Sequence, residues 1–321
     1  MPFAPDLLFP QNTSYLEEYW PLMALINIWR IPILFVISGM GVYFAFQNRT
    51  VKKIIKDRAG RILVPFIFGY FVICPLQFIC CLEFYNYPYP LWYYPMSSHL
   101  WFLLNIYVYF QGLIFVFLYF KKNQNNLFLN FFKNLLKYRF GIYVFIIPFI
   151  LEALIVNPKH YSLYAETMHG WVLGVICFLI GYLLVSFKEH FWLSIDRIRF
   201  FALIIAILLY LQRISHIEFE YNNALIAIES FNWILVVFAF AARYLNKPSE
   251  KLSYLSAAVF PVYILHMPFQ IAISLIVLPL NLPASLKLFI LVLLTLFCSM
   301  AFYEYLIRRI KFLRPFFGVK Y

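Results

Sequence analysis

Long apolar runs recur from one end of this chain to the other, separated by short basic segments. Residues 198–212 and 286–300 are apolar at nearly every position. A porin-like barrel would instead show short strands of alternating polarity, so runs of this length point to membrane-spanning helices. Composition agrees, since 64% of residues are hydrophobic, 12% are charged and the mean hydropathy is +0.79. A soluble core of this size cannot hide that much apolar side chain. The 22% of aromatic residues supplies Trp and Tyr for the headgroup level.

At about 20 residues per span, the sequence predicts one all-α, polytopic transmembrane bundle of nine helices occupying the whole chain, 1–321, as a single domain. The predicted spans are 23–47, 62–84, 99–120, 140–156, 168–187, 198–212, 223–244, 255–278 and 284–307. Pro32, Pro65, Pro75, Pro148, Pro261 and Pro268 fall inside them and predict kinks.

The odd-numbered connections and the C-terminal tail hold most of the basic residues, among them Arg49, Lys121, Lys133, Lys188, Arg243 and Arg308. Under the positive-inside rule these face the cytoplasm and the N-terminal segment lies outside. That segment carries Asp6, Glu17 and Glu18 and no signal-peptide pattern. An odd number of spans with an external start therefore predicts one further helix ahead of Met1.

The net charge of +12 sits at helix ends, a pattern for topology and lipid headgroups and not for nucleic acid. Cys74, Cys80, Cys81, Cys177 and Cys298 all lie in apolar stretches without metal-site spacing. They read as small buried residues, and neither a disulfide framework nor a metal is expected. The densest basic run, Arg49, Lys52, Lys53, Lys56, Arg58 and Arg61, exceeds what orientation requires. Arg58 and Arg61 end it at an i, i+3 spacing that puts both on one helical face if the helix starts early. Guanidinium groups stay charged beside lipid and grip phosphate bidentately, so the pair can hold a phosphate-rich anion as well as fix topology.

Arg30 falls within an apolar run, where a charge costs a few kcal/mol unless it meets a partner or a watery cavity. Snorkelling to the outer interface beside Trp29 is its other reading. Glu152 and Glu229 lie near outer helix ends, and Glu304 stands one turn from Arg308 as an i, i+4 pair. His160, His190 and His216 fall in connections and read as solvated, whereas His99, His169 and His266 lie on helices. Ser38–Gly39 lacks the strand–turn–helix setting of a nucleophile elbow. Gly39 with Gly41 instead predicts a close helix contact.

Several strings in order resemble the type 3 acyltransferase family of polytopic membrane enzymes. They are Trp20-Pro21-Leu22, Asn27 through Gly39 (NIWRIPILFVISG), Arg58-Ala59-Gly60-Arg61-Ile62-Leu63-Val64-Pro65, His99-Leu100-Trp101-Phe102-Leu103, Tyr263-Ile264-Leu265-His266, and Tyr303-Glu304-Tyr305-Leu306-Ile307-Arg308-Arg309. The resemblance implies O-acyl transfer, of acetyl or succinyl, from a cytoplasmic acyl-CoA to a hydroxyl of a glycan or lipid-linked sugar. The subgroup that succinylates periplasmic glucans looks nearest. Family members carry an additional first helix ending in a His that acts as catalytic base or acyl carrier, and by the resemblance this chain is expected to begin after that helix.

By the resemblance Arg58, Arg61 and Arg30 bind the acyl-CoA, with no metal cofactor. His99 and His266 are the candidate bases only because family strings surround them. The implied setting is the bacterial inner membrane, with membrane lipids as neighbours and the C-terminus cytoplasmic. Two other readings stay open: a transporter or flippase of a glycan or lipid precursor, against which no inverted internal repeat is visible, and an inactive, truncated family member.

Overall fold

The computed structural model describes residues 17–47, 49–84, 93–215 and 222–319. These residues form helices and turns with no strand. The α-helices are α1 (Trp20–Asn27), α2 (Arg30–Gln47), α3 (Val51–Arg58), α4 (Val64–Phe68), α5 (Cys74–Phe84), α6 (Trp101–Lys122) and α7 (Leu127–Leu135). They continue with α8 (Ile147–Val156), α9 (Met168–Ser186), α10 (Glu189–Ser215), α11 (Asn223–Tyr244), α12 (Glu250–Val277) and α13 (Ala284–Phe302).

All nine predicted spans fall on helical segments, and among the described residues seven segments are long and apolar enough to cross a membrane. The fourth span is shorter, a 3-10 turn at Gly141–Ile146 running into α8. The sixth is the apolar second half of the 27-residue α10, whose first half holds Glu189, Asp196, Arg197 and Arg199. His190 therefore sits in the first turn of a helix and not in a connection, while His216 lies outside the described residues.

Helix α13 shows what solvent the fold expects. Its buried residues are Lys287 and Ser299, and it exposes Phe289, Val292, Leu296 and Phe297. In water that polarity would be reversed, whereas hydrocarbon makes the apolar face the outer one. Lys287 Nζ donates to the Leu278 carbonyl at 2.6 Å.

Side-chain caps set several starts: Asn126 accepts from Leu129 N–H, Thr167 from Gly170 N–H, Asn222 from Ala224 N–H and Ser249 from Leu252 N–H. Each engages a backbone donor that the first helical turn leaves without a partner.

Prolines define the irregular places. A proline within a helix has no N–H for the carbonyl four residues before it, and side chains satisfy three of these carbonyls. Ile28, opposite Pro32, accepts from Tyr164 Oη at 2.7 Å and Ser230 Oγ at 2.9 Å. Phe71, opposite Pro75, accepts from Tyr93 Oη at 2.6 Å. Ile264, opposite Pro268, faces His99 Nε2 at 3.1 Å. At Pro65 and Pro75 the helix also widens into π-turns, Ala59–Leu63 and Gly69–Ile73.

The contacts form two compact units. One comprises the described residues of Met1–Glu18, Ile55–Leu104 and Pro248–Tyr321; the other comprises those of Tyr19–Ile54 and Asn105–Lys247. In the second, α9 lies against α2 with backbones touching: a Cβ on Gly39 would collide with the Phe178 carbonyl, and one on Gly181 with the Val36 carbonyl. Small residues permit this approach, as the sequence predicted for Gly39. Gly41 is exposed. Ser38 Oγ donates to the Leu34 carbonyl of its own helix.

Candidate functional site

His99 stands at the junction of a 3-10 turn, Ser98–Leu100, with α6. That turn and the residue before it are tied to α5 and to the π-turn that precedes it. Gln77 Nε2 donates to Ser98 Oγ at 2.9 Å, Cys74 Sγ contacts the Ser97 carbonyl at 3.6 Å, and Leu100 packs where a Cβ on Gly69 would be. Ser98 has φ 40°, a left-handed conformation uncommon for a residue with a Cβ. The backbone next to His99 is therefore held where the chain would not settle unaided.

Helix α12 provides the facing residues. Tyr263 Oη donates to the His99 carbonyl, and His99 and His266 approach edge to face with ring centroids 5.2 Å apart. A carbonyl oxygen can only accept, so each imidazole nitrogen facing one must carry a proton. His99 Nε2 faces the Ile264 carbonyl, which leaves the lone pair on Nδ1; that atom is buried with no partner among the described residues. His266 Nδ1 faces the Tyr263 carbonyl at 2.7 Å, which leaves the lone pair on Nε2. In their neutral forms both rings are thus fixed in tautomer and orientation, as a general base requires.

The basic run folds as α3, a helix and not a loop, with Ile54 buried and Lys52, Lys53 and Lys56 exposed. The helix does start early, as a shared face for Arg58 and Arg61 required, but the π-turn opening at Ala59 widens the winding between them. Arg58 is half-buried and Arg61 exposed, its Nε donating to the Gly318 carbonyl at 3.4 Å. Gly318 follows the 3-10 turn Arg314–Phe317 at φ +66°, with the Phe260 ring and the Arg61 carbonyl where a Cβ would sit. Phe316 and Phe317 pack on Phe68, which fixes this C-terminal turn to α4.

Arg58, Arg61, His99 and His266 all belong to the first unit. Arg30 belongs to the second, where it opens α2 and is exposed. Glu304 and Arg308 form the predicted pair, at 2.9 Å, and Tyr254 Oη adds a bond to Glu304 at 3.1 Å.

Two buried pairs in the second unit were not legible as pairs in the sequence. His169 Nδ1 meets Glu152 Oε1 at 2.7 Å and its Nε2 meets the Tyr161 carbonyl at 2.9 Å. Arg213 grips both oxygens of Glu229 at 2.7 and 2.9 Å and reaches the Ala24 carbonyl, while Trp233 Nε1 donates to Glu229. A Glu within an apolar helix and an Arg at the end of another gave the available signal. Burial pushes the phenols of Tyr161 and Tyr164 well above the ordinary tyrosine range, with the Glu152 charge adding to the shift at Tyr161.

The described residues, all helices and turns with seven apolar membrane-length helices and an outward apolar surface, define an integral membrane protein of the polytopic class. The type 3 acyltransferase domain matches residues 4–304, and the chain belongs to this family of membrane acyltransferases. Neither curated proteins nor solved structures give a match.

Proposed function

We propose that this protein moves an acyl group, acetyl or succinyl, from acyl-CoA to a hydroxyl of a glycan or lipid-linked sugar at the bacterial inner membrane. Family membership supports the acyl-transfer chemistry, and one observation in the first unit carries it to residues: two imidazoles whose carbonyl partners fix the lone pairs on His99 Nδ1 and His266 Nε2. Acyl transfer to an alcohol needs a base for the hydroxyl proton as the oxygen attacks the thioester carbon. His266 Nε2 is the favoured base, because Nδ1 of His99 is buried. His99 then positions α12 by holding the Ile264 carbonyl.

Arg58 and Arg61 suit the pyrophosphate and 3′-phosphate of CoA. The match of one family across 4–304 supports treating both units as one catalytic domain. The charge asymmetry of the sequence supports a cytoplasmic C-terminus.

The test is release of free CoA from acetyl-CoA or succinyl-CoA by the chain in proteoliposomes supplied with a lipid-linked oligosaccharide. His266→Ala is expected to lower turnover by about 10²–10⁴-fold, the usual contribution of a general base. Unchanged turnover in that variant would remove His266 from the chemistry.

A further inference from the structure

The second unit contains a cavity of about 440 Å³ with no part in the proposal above. Its rim carries Lys121, Lys133 and Lys188 together with His190, against a single carboxylate, Glu189. Its wall is aromatic: Tyr182 is flanked by Tyr43 edge-on at 5.6 Å and by Phe120, stacked at 6.5 Å.

Among the described residues, no carboxylate pairs with any of the three lysines. Lys121 Nζ bonds the Phe46 carbonyl at 2.6 Å, and Lys133 Nζ reaches the Gln124 carbonyl at 3.4 Å. A carbonyl engages one of an ammonium's three protons and leaves the full charge in place. Such bonds fix where the ammonium sits. Gln47, Gln124 and Asn125 bring side-chain amides to the same walls, and Ser186 Oγ is turned away to the Leu183 carbonyl. Three cations, amide donors and flat rings around one concave space make a setting for an anion with several acceptor oxygens.

We propose that this cavity is a binding site for a phosphate-bearing ligand, with Lys121, Lys133 and Lys188 contacting the phosphate. Glu189 sets an upper limit on affinity by repelling it. The phosphate belongs either to a soluble nucleotide, whose base would lie against the aromatic wall, or to an anionic lipid headgroup.

The experiment uses the full chain in phosphatidylcholine nanodiscs. One arm titrates ADP by calorimetry; the other adds phosphatidic acid to the discs and measures its retention by native mass spectrometry. Saturable ADP binding, weakened about tenfold by Lys133→Ala and by Lys188→Ala, supports the site with a soluble ligand; phosphatidic acid retention lost in the same variants supports it with a lipid. Lys188 is exposed and Lys133 half-buried, so neither variant opens the packed core, and Glu189→Gln is expected to tighten binding several-fold, an effect that misfolding cannot mimic. Binding of neither probe, or binding indifferent to all three substitutions, would overturn the proposal.

Discussion

His99 is linked to Pro268 through one carbonyl: Pro268 supplies no N–H to Ile264, and His99 Nε2 takes that place at 3.1 Å. A helix-breaking residue on α12 thereby determines which imidazole nitrogen of His99 carries the proton. Pro268→Ala restores a backbone donor that competes for the Ile264 carbonyl. Turnover is expected to fall about tenfold to a hundredfold through misplacement, with KM for acyl-CoA unchanged and thermal stability equal or higher. A fall in stability together with KM would assign Pro268 to packing alone.

The Arg213–Glu229 pair is bidentate, and the Glu229 side chain is 1% exposed. Removing one partner strands a buried charge, so Arg213→Ala is expected to destabilise the protein by about 3–5 kcal/mol. Arg213→Met combined with Glu229→Leu should cost less than the single change, because no charge is stranded. Unfolding of purified variants in detergent measures both.

Gly39 and Gly181 keep α2 and α9 in backbone contact, and each has a carbonyl of the other helix where a Cβ would go. Gly39→Ala and Gly181→Ala are each expected to cost about 1–3 kcal/mol by overpacking. Gly112→Ala, with open space beside it, should be neutral or slightly stabilising. Equal stability of all three variants would show that the two helices separate without consequence.

Tyr161 and Tyr164 titrate above their ordinary value in the folded protein because they are buried. Above about pH 10 the unfolded chain loses phenolic protons that the folded chain keeps. Stability is therefore full below pH 10 and falls as pH rises beyond it. Tyr161→Phe removes one such proton and should flatten this alkaline loss, as read by unfolding midpoints from pH 8 to 11. An unchanged slope would mean that Tyr161 ionises as freely in the folded chain as in the unfolded one.

Much of the architecture was legible because hydrocarbon leaves the backbone few choices. Apolar length located the helices, and the seventh span, 223–244, coincides with α11 (Asn223–Tyr244). Local spacing was equally readable, as the Glu304–Arg308 pair shows. What depended on distant partners was not. The strings around His99 and Tyr263 marked both residues, but the bonds from His99 to Tyr263 and to Ile264 span 164 and 165 positions and follow from how α12 packs. Glu152 stood out as a charge in an apolar run, yet nothing local named His169 as its partner. The basic run was expected as a loop, because lysines and arginines hide the one buried anchor, Ile54, that makes α3 amphipathic.

Binding of acyl-CoA by the Arg58–Arg61 segment tests the central claim most directly, because it does not require the acceptor to be known. Calorimetry of the chain in nanodiscs should show saturable acetyl-CoA or succinyl-CoA binding. Arg61→Ala should weaken it by about 1.5–3 kcal/mol, the range for a lost charge-assisted bond, with Arg61→Lys recovering part. Absence of binding by the unaltered chain, or equal affinity in Arg58→Ala and Arg61→Ala, would contradict the assignment and return both arginines to membrane topology.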